Sequence, residues 1–141
     1  MTNYFELSME PGEIRAISSI ALAHLGDAVY EVLVRAWLCA HGKATGKGMH
    51  RATVALVCAP EQARRAERIL SRLTEEEHAV FRRGRNAHVH SVPQNASRSE
   101  YQEATALEAL LGYLYLLGRR ERINELFNSM MEEDETAEDA T

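Results

Sequence analysis

Two long stretches of this chain, Glu13 to Ala40 and Glu100 to Leu117, carry apolar residues at helical spacing and hold no proline. In the first, Ile17, Ile20, Leu25, Val29, Leu33 and Trp37 follow the helical period, which predicts one or two helices with Gly26 as the weak point. The second is stopped by Gly118 and followed by a last helix over Glu121 to Met131. Between them, His41 to Gly48 holds three glycines and reads as a loop, and His50 to Cys58 resumes an apolar pattern. Pro60 suits the first turn of a helix reaching Leu73, with Ala63, Ala66, Ile69 and Leu70 on one side. Thr74 has the features of an N-cap: three glutamates crowd the first turn after it, and Glu77 completes a capping box for a helix ending near Gly84. Arg85 to Ser99 is polar, contains Pro93 and is the longest expected loop. No segment alternates as a strand does, so the fold class is all-α.

A chain of 141 residues, 45% hydrophobic, is the size of one domain with one core. The formal charge of -5 argues at first against a polyanionic partner, but six of the 21 acids lie between Glu132 and Asp139 with no base. The rest of the chain carries 16 bases against 15 acids. The expected division is therefore a folded unit over 1–131 and an acidic, disordered and solvated tail over 132–141. Arginines concentrate from Arg64 to Arg98, whereas Asn3 to Glu31 holds only Arg15. No apolar run approaches the roughly 20 residues that span a bilayer, and no leader is visible, so a cytoplasmic protein without membrane contact is expected. Cys39 and Cys58 lack metal-ligand spacing and lie in apolar helical surroundings, which predicts buried free thiols.

Two carboxylates stand where apolar residues belong. Asp27 lies inside the first long helix beside Gly26, a pairing that costs helix stability and clears room for a backbone or a ligand. It either faces solvent or holds a cation. Glu108 is the only charge between Glu103 and Arg119, and Gly112 follows one turn later on the same face. An isolated charge there is on a thin exposed stripe or is buried and paired. Two acids beside glycines on apolar helices suit a hard cation such as Mg²⁺, which takes few carboxylates and keeps several waters.

The same two segments resemble the ribonuclease III family. Leu25-Gly26-Asp27-Ala28-Val29 is similar to the core of that family's signature, and Glu108-Ala-Leu-Leu-Gly112 to its second acidic motif. Leu22 to Glu31, the block Phe81-Arg-Arg-Gly-Arg-Asn-Ala87, and Ala104 to Leu116 bring the chain closer to the Mini-ribonuclease III group, over about residues 14 to 130. The resemblance implies a homodimer of helical endonuclease domains that hydrolyses double-stranded RNA with Mg²⁺ held by Asp27 and Glu108, and a role in maturing 23S ribosomal RNA, with a ribosomal protein as a further candidate partner. The long-form family has two more acids, where this chain has Ala23 and Thr105. A reduced, two-carboxylate site is therefore expected, with Glu31 either an outer-shell group or a surface acid.

Full ribonucleases III append a double-stranded-RNA-binding domain, and only the acidic tail follows the last helix here, so the catalytic unit is expected to hold the duplex itself. A-form RNA is gripped through phosphates and 2′-hydroxyls, and Arg82, Arg83, Arg85 and Asn86, with His50 and Arg51 at another helix start, supply suitable groups. The alternative for these residues is a solvated basic patch. His88 and His90 are spaced like a metal pair but lack a third ligand, which favours a polar loop. The rival functions are a non-catalytic RNA-binding module on the same helices and another type of helical metallohydrolase. The latter is disfavoured by the absence of an adjacent His-Asp pair and of a partner for Glu100-x-x-Glu103.

Overall fold

A stretch of helix that is apolar nearly all the way round has to be buried, and within the helix Arg98–Leu117 the part from Ala104 to Leu116, with Glu108 its one charge, runs through the centre of the molecule. The computed structural model describes residues 1–42, 46–87 and 96–139, with side chains described to residue 132. In chain order the helices are α1 (Pro11–Ile14), α2 (Ser19–Ala40), α3 (Gly46–Val57), α4 (Ala59–Glu67), a 3-10 turn at Leu70–Arg72, α5 (Glu75–Arg85), α6 (Arg98–Leu117) and α7 (Arg120–Asp139). No strand occurs among the described residues, so the all-α expectation holds.

Around α6 pack α2, α5 and α4, with α3 bridging α2 and α4, and α7 closing the side next to α4 and α6. Leu107, Leu110, Leu111 and Leu114 of α6 are wholly buried, and Tyr30, Val34, Ala66, Ile69, Leu126 and Met130 meet them in one core. The helix ends are set by short polar signals. Thr74 accepts from the Glu77 amide at 3.2 Å while Glu77 accepts from the Thr74 amide at 2.9 Å, as the sequence predicts. Ser97 and Glu100 form the same reciprocal pair at the start of α6. Gly118 ends α6 with φ 80°, a left-handed cap that suits glycine.

The first long stretch differs from expectation in where it breaks. The interruption falls at residues 15–18, where Ser18 accepts from the Ala21 amide and opens α2, and the helix then runs unbroken through Gly26. Tertiary packing at Gly26 offsets its poor propensity. His41 to Gly48 is shorter as a loop than expected, because α3 already begins at Gly46, and residues 43–45 lie outside the described ones. His50 and Arg51 therefore sit inside α3 instead of at its start. At the other end the helical backbone of α7 continues past Met131 to Asp139, through acids assigned above to the tail, consistent with the good helix propensity of glutamate. The thiols also depart from expectation: both are free, but both are exposed. Cys39 follows the buried Leu38 on the outer side of α2, and Cys58 occupies the junction of α3 and α4.

Charged groups inside the fold are compensated. Glu77, 1% exposed, receives two bonds of 2.8 Å from the Arg122 guanidinium, which holds its carboxyl below the usual range. Arg65 is 2% exposed and ties Glu61 of α4 to the Met130 carbonyl of α7.

Candidate active site

Asp27 and Glu108 are brought together by the crossing of α2 over α6, and the crossing depends on two glycines. A Cβ on Gly26 would lie 1.6 Å from the Glu108 carbonyl oxygen, and one on Gly112 would lie 2.1 Å from the Leu22 carbonyl oxygen. Each helix thus lays its backbone in the space left by the other's missing side chain. Both glycines are buried, so this closeness is internal to the fold. It gives the two glycine-carboxylate pairs of the sequence one common cause.

At this crossing the Asp27 side chain is exposed and Glu108, half-buried, lies near enough to feel its charge. Burial pushes Glu108 up to about 9, aided by the hydrogen bond and the negative charge of Asp27 and opposed by the amide of Gln62. Near neutral pH Glu108 therefore keeps its proton. A divalent cation can take the place of that proton, and an all-oxygen donor set of two carboxylates fits a hard ion such as Mg²⁺. Among the described residues no three His, Cys, Asp or Glu side chains converge, so any ion there has few protein ligands.

Ala23 and Thr105, where long-form relatives of the sequence pattern carry acids, are 7% and 5% exposed. The Thr105 hydroxyl donates to the Tyr101 carbonyl at 2.9 Å, closing that position to a ligand role. Glu31, one turn after Asp27, pairs with Arg35 at 3.1 Å, which is the surface-acid alternative. Gln62 was not legible as a site residue. Its signal was a polar residue spaced four and seven positions before Ala66 and Ile69, on the buried side of α4.

The basic candidates lie on α5 and α3 and, among the described residues, make no hydrogen bond or ion pair with the two carboxylates. Arg82, Arg83 and Arg85 occupy the last turn of α5 and Asn86 caps it; all four are exposed. Arg85 is already paired with Glu103 at 2.6 Å, so it braces α5 against α6 and is a weaker candidate for phosphate. Arg83 lines a cavity of about 440 Å³ with Arg15, Ser18 and Ser19 at the start of α2. His50 and Arg51 are exposed on α3, and His50 shares a cavity of about 220 Å³ with Glu31 and Arg35. His88 and His90 lie outside the described residues.

The raised Glu108 gives a pH signature. Its folded value of about 9 lies above the ordinary carboxylate value of 4.5, so its contribution to stability is complete below that ordinary value and is lost as pH rises toward 9. Metal-free protein is expected to melt at falling temperature from pH 6 to pH 9, within the window set by that shift, and Mg²⁺ is expected to raise the melting temperature more at pH 8.5 than at pH 6. Melting curves with and without Mg²⁺ at the two pH values check this; an equal Mg²⁺ effect at both counts against the proton on Glu108.

The model of the Ribonuclease III domain family matches residues 20–119, a span that contains both carboxylates. A protein of Symbiobacterium thermophilum named Mini-ribonuclease 3 is 43% identical over 110 residues, covering 78% of this chain and 85% of its own length. The protein of that name from Gloeobacter violaceus is 45% identical over 111 residues, covering 79% and 81%, and that of Enterococcus faecalis is 38% identical over 118 residues, covering 82% and 89%. A crystal structure of a Fusobacterium nucleatum protein superposes with a TM-score of 0.78 at 32% identity, covering 86% of this chain and 98% of that one. Matched in sequence across most of its length and in fold across the same span, the chain belongs to the ribonuclease III family of endoribonucleases, within its Mini-ribonuclease III group.

Proposed function

We propose that this endoribonuclease cleaves double-stranded RNA with Mg²⁺ bound by Asp27 and Glu108, and that its cytoplasmic substrate is precursor 23S ribosomal RNA. The observation that carries the site is the carboxylate pair itself, brought together by two interlocked glycines, with Glu108 held in its protonated form by burial and by the neighbouring Asp27. A bound divalent ion there supplies an activated water and neutralises charge on the scissile phosphate. Asp27 offers an exposed carboxylate toward substrate, and Glu108 offers a half-buried one fixed by the α2–α6 crossing. The rigidity of that crossing supports a fixed separation between the two ligands, which positioning of a phosphate requires.

What supports the 23S substrate is membership in the Mini-ribonuclease III group. The test is an assay on precursor 23S RNA with Mg²⁺, run with and without ribosomal proteins. Cleavage to discrete ends is expected, and a ribosomal protein that shapes the RNA is expected to sharpen it. Degradation of any duplex without discrete ends would separate the nuclease activity from the rRNA assignment.

Phosphate contacts are assigned to Arg82 and Arg83, with Asn86, His50 and Arg51 as further polar contacts and Arg85 contributing only after leaving Glu103. Replacing Arg82 and Arg83 together by alanine is expected to raise KM while kcat changes by no more than about twofold, and to flatten the salt dependence of duplex binding by roughly one unit per lost contact. Unchanged salt dependence would remove the pair from the RNA-binding surface.

Homodimerisation is supported by an apolar face on α2. Leu25, Ala28, Val29, Val32 and Leu33 line a cavity of about 460 Å³ with Phe5, Tyr115 and Ile123, and Val32 and Phe5 are 67% and 81% exposed. A second copy of the same surface covers such a face around a two-fold axis, and would set one catalytic site on each strand for a staggered double cut. Sedimentation of the full chain measures the dimer directly. The rival reading, a non-catalytic RNA-binding module, draws on the buried Ala23 and Thr105; Mg²⁺-dependent cleavage of a long duplex decides against it.

A further inference from the structure

Arg15 is the only base between Asn3 and Glu31, and the fold brings it to a second arginine from far along the chain. It caps the end of α1, while Arg83 stands in the last turn of α5. Both line the cavity of about 440 Å³ at the start of α2, together with Ser18, Ser19 and apolar side chains that include Leu22 and Val80. No acid lines it. Among the described residues neither arginine has an ion pair or a side-chain hydrogen bond, in contrast to Arg85, Arg119 and Arg122. The acids of the adjoining helices are engaged elsewhere. Glu13 accepts from the Glu10 amide, and Glu76 accepts from the Tyr113 hydroxyl and the Arg119 guanidinium. Covering the apolar wall needs only the methylene stems of the arginines, which leaves two guanidiniums with unused donors and no counter-charge.

We propose that Arg15 and Arg83 together form one phosphate subsite, in which they grip a backbone phosphate of the bound RNA away from the bond that is cut. The inference rests on the reading of the chain as an endonuclease of double-stranded RNA. A phosphate between two guanidiniums takes donors from both and cancels their mutual repulsion. A volume of about 440 Å³ exceeds what a lone ion fills and suits a phosphate with its attached sugar, the sugar resting on Leu22 and Val80. The subsite is also tied to the cleavage centre. At 1.5 Å per residue, Ser19 and Asp27 are about 12 Å apart along α2, and the Leu22 carbonyl is part of the same crossing with Gly112 that brings Asp27 to Glu108. A phosphate held at one end of a rigid helix fixes the register of the backbone against a carboxylate further along it.

The test titrates a labelled RNA duplex with the full chain in chelator, so that binding is read without cutting, over a series of KCl concentrations. Wild type, Arg15→Gln, Arg83→Gln, the double variant and Arg15→Lys are compared, each with its melting curve. Each single glutamine variant is expected to bind about tenfold more weakly while melting as wild type does. Because both side chains serve one phosphate, the double variant is expected to flatten the salt dependence by about one unit, not two, and to lose less affinity than the product of the single losses. Arg15→Lys keeps the charge and is expected to keep the wild-type salt dependence. Losses that multiply, with about two units gone, would make the arginines independent surface charges and overturn the shared subsite. An Arg15→Gln protein that binds the duplex as wild type does would overturn it too. Adenosine monophosphate that raises the melting temperature of wild type and not of Arg15→Gln, with duplex binding equal in the two, would give the cavity to a free nucleotide instead of RNA. Wild type that fails to bind the duplex at all removes the RNA reading on which the inference rests.

Discussion

Replacing Asp27 by asparagine is expected to abolish cleavage of a long RNA duplex, by about a thousandfold or more, while the duplex is still bound and the protein still folds. The size follows from the small number of ligands: with two carboxylates at the site and no third acidic or histidine side chain among the described residues, loss of one leaves half the donor set. Folding is spared because Asp27 is exposed, and asparagine preserves its shape. Single-turnover cleavage, an electrophoretic binding assay and thermal melting measured on one preparation separate these effects. A variant that fails to bind RNA as well would mean that Asp27 acts in the fold or in substrate docking.

The second large effect is expected at Gly26. Substitution by alanine adds one methyl group, yet that methyl would sit 1.6 Å from the Glu108 carbonyl oxygen and 2.9 Å from the Gly112 nitrogen. Both obstacles are backbone atoms of a buried helix, which no rotamer change can move, so α2 and α6 must separate. Overpacking in cores costs typically about 1–3 kcal/mol, and a backbone obstacle puts this case at or beyond the upper end. For a domain of this size that corresponds to a fall in melting temperature of roughly 10 °C. The separation also draws Asp27 away from Glu108, so activity is expected to fall below what the remaining folded fraction explains. Gly112→Ala, with its methyl 2.1 Å from the Leu22 carbonyl oxygen, is expected to behave alike. A Gly26→Ala protein with wild-type melting and activity would show that the crossing is looser than the structure has it. Gly12 is a control, since a methyl there meets nothing within 4 Å.

The glycines illustrate how far sequence reasoning reaches. A glycine beside an acid in an apolar helix signals room being made, and the residues at both ends of that signal turned out to face each other. The caps were equally legible: Thr74 with Glu77 and Gly118 are local patterns whose chemistry is complete within a few residues. What sequence could not resolve was whether the cleared space serves a ligand or a helix. It serves the helix, and the carboxylates meet as a consequence. Gln62 escaped for the opposite reason, since its burial is set by how α4 packs in the fold and not by any pattern complete within a few residues. Arg85 was read as free for RNA because its partner Glu103 lies across the long connection. The exposure of Cys39 and Cys58 was misread because an apolar neighbourhood in sequence does not say which side of a helix a residue takes.

The central claim is that Asp27 and Glu108 together hold the cation used in RNA cleavage, and a Mg²⁺ titration of duplex cleavage by wild type and Glu108→Gln tests it most directly. The wild-type rate is expected to rise from nothing in chelator to a plateau, and the variant to remain near background at every concentration. Cleavage in chelator, or a Glu108→Gln titration that overlays the wild type, would contradict it.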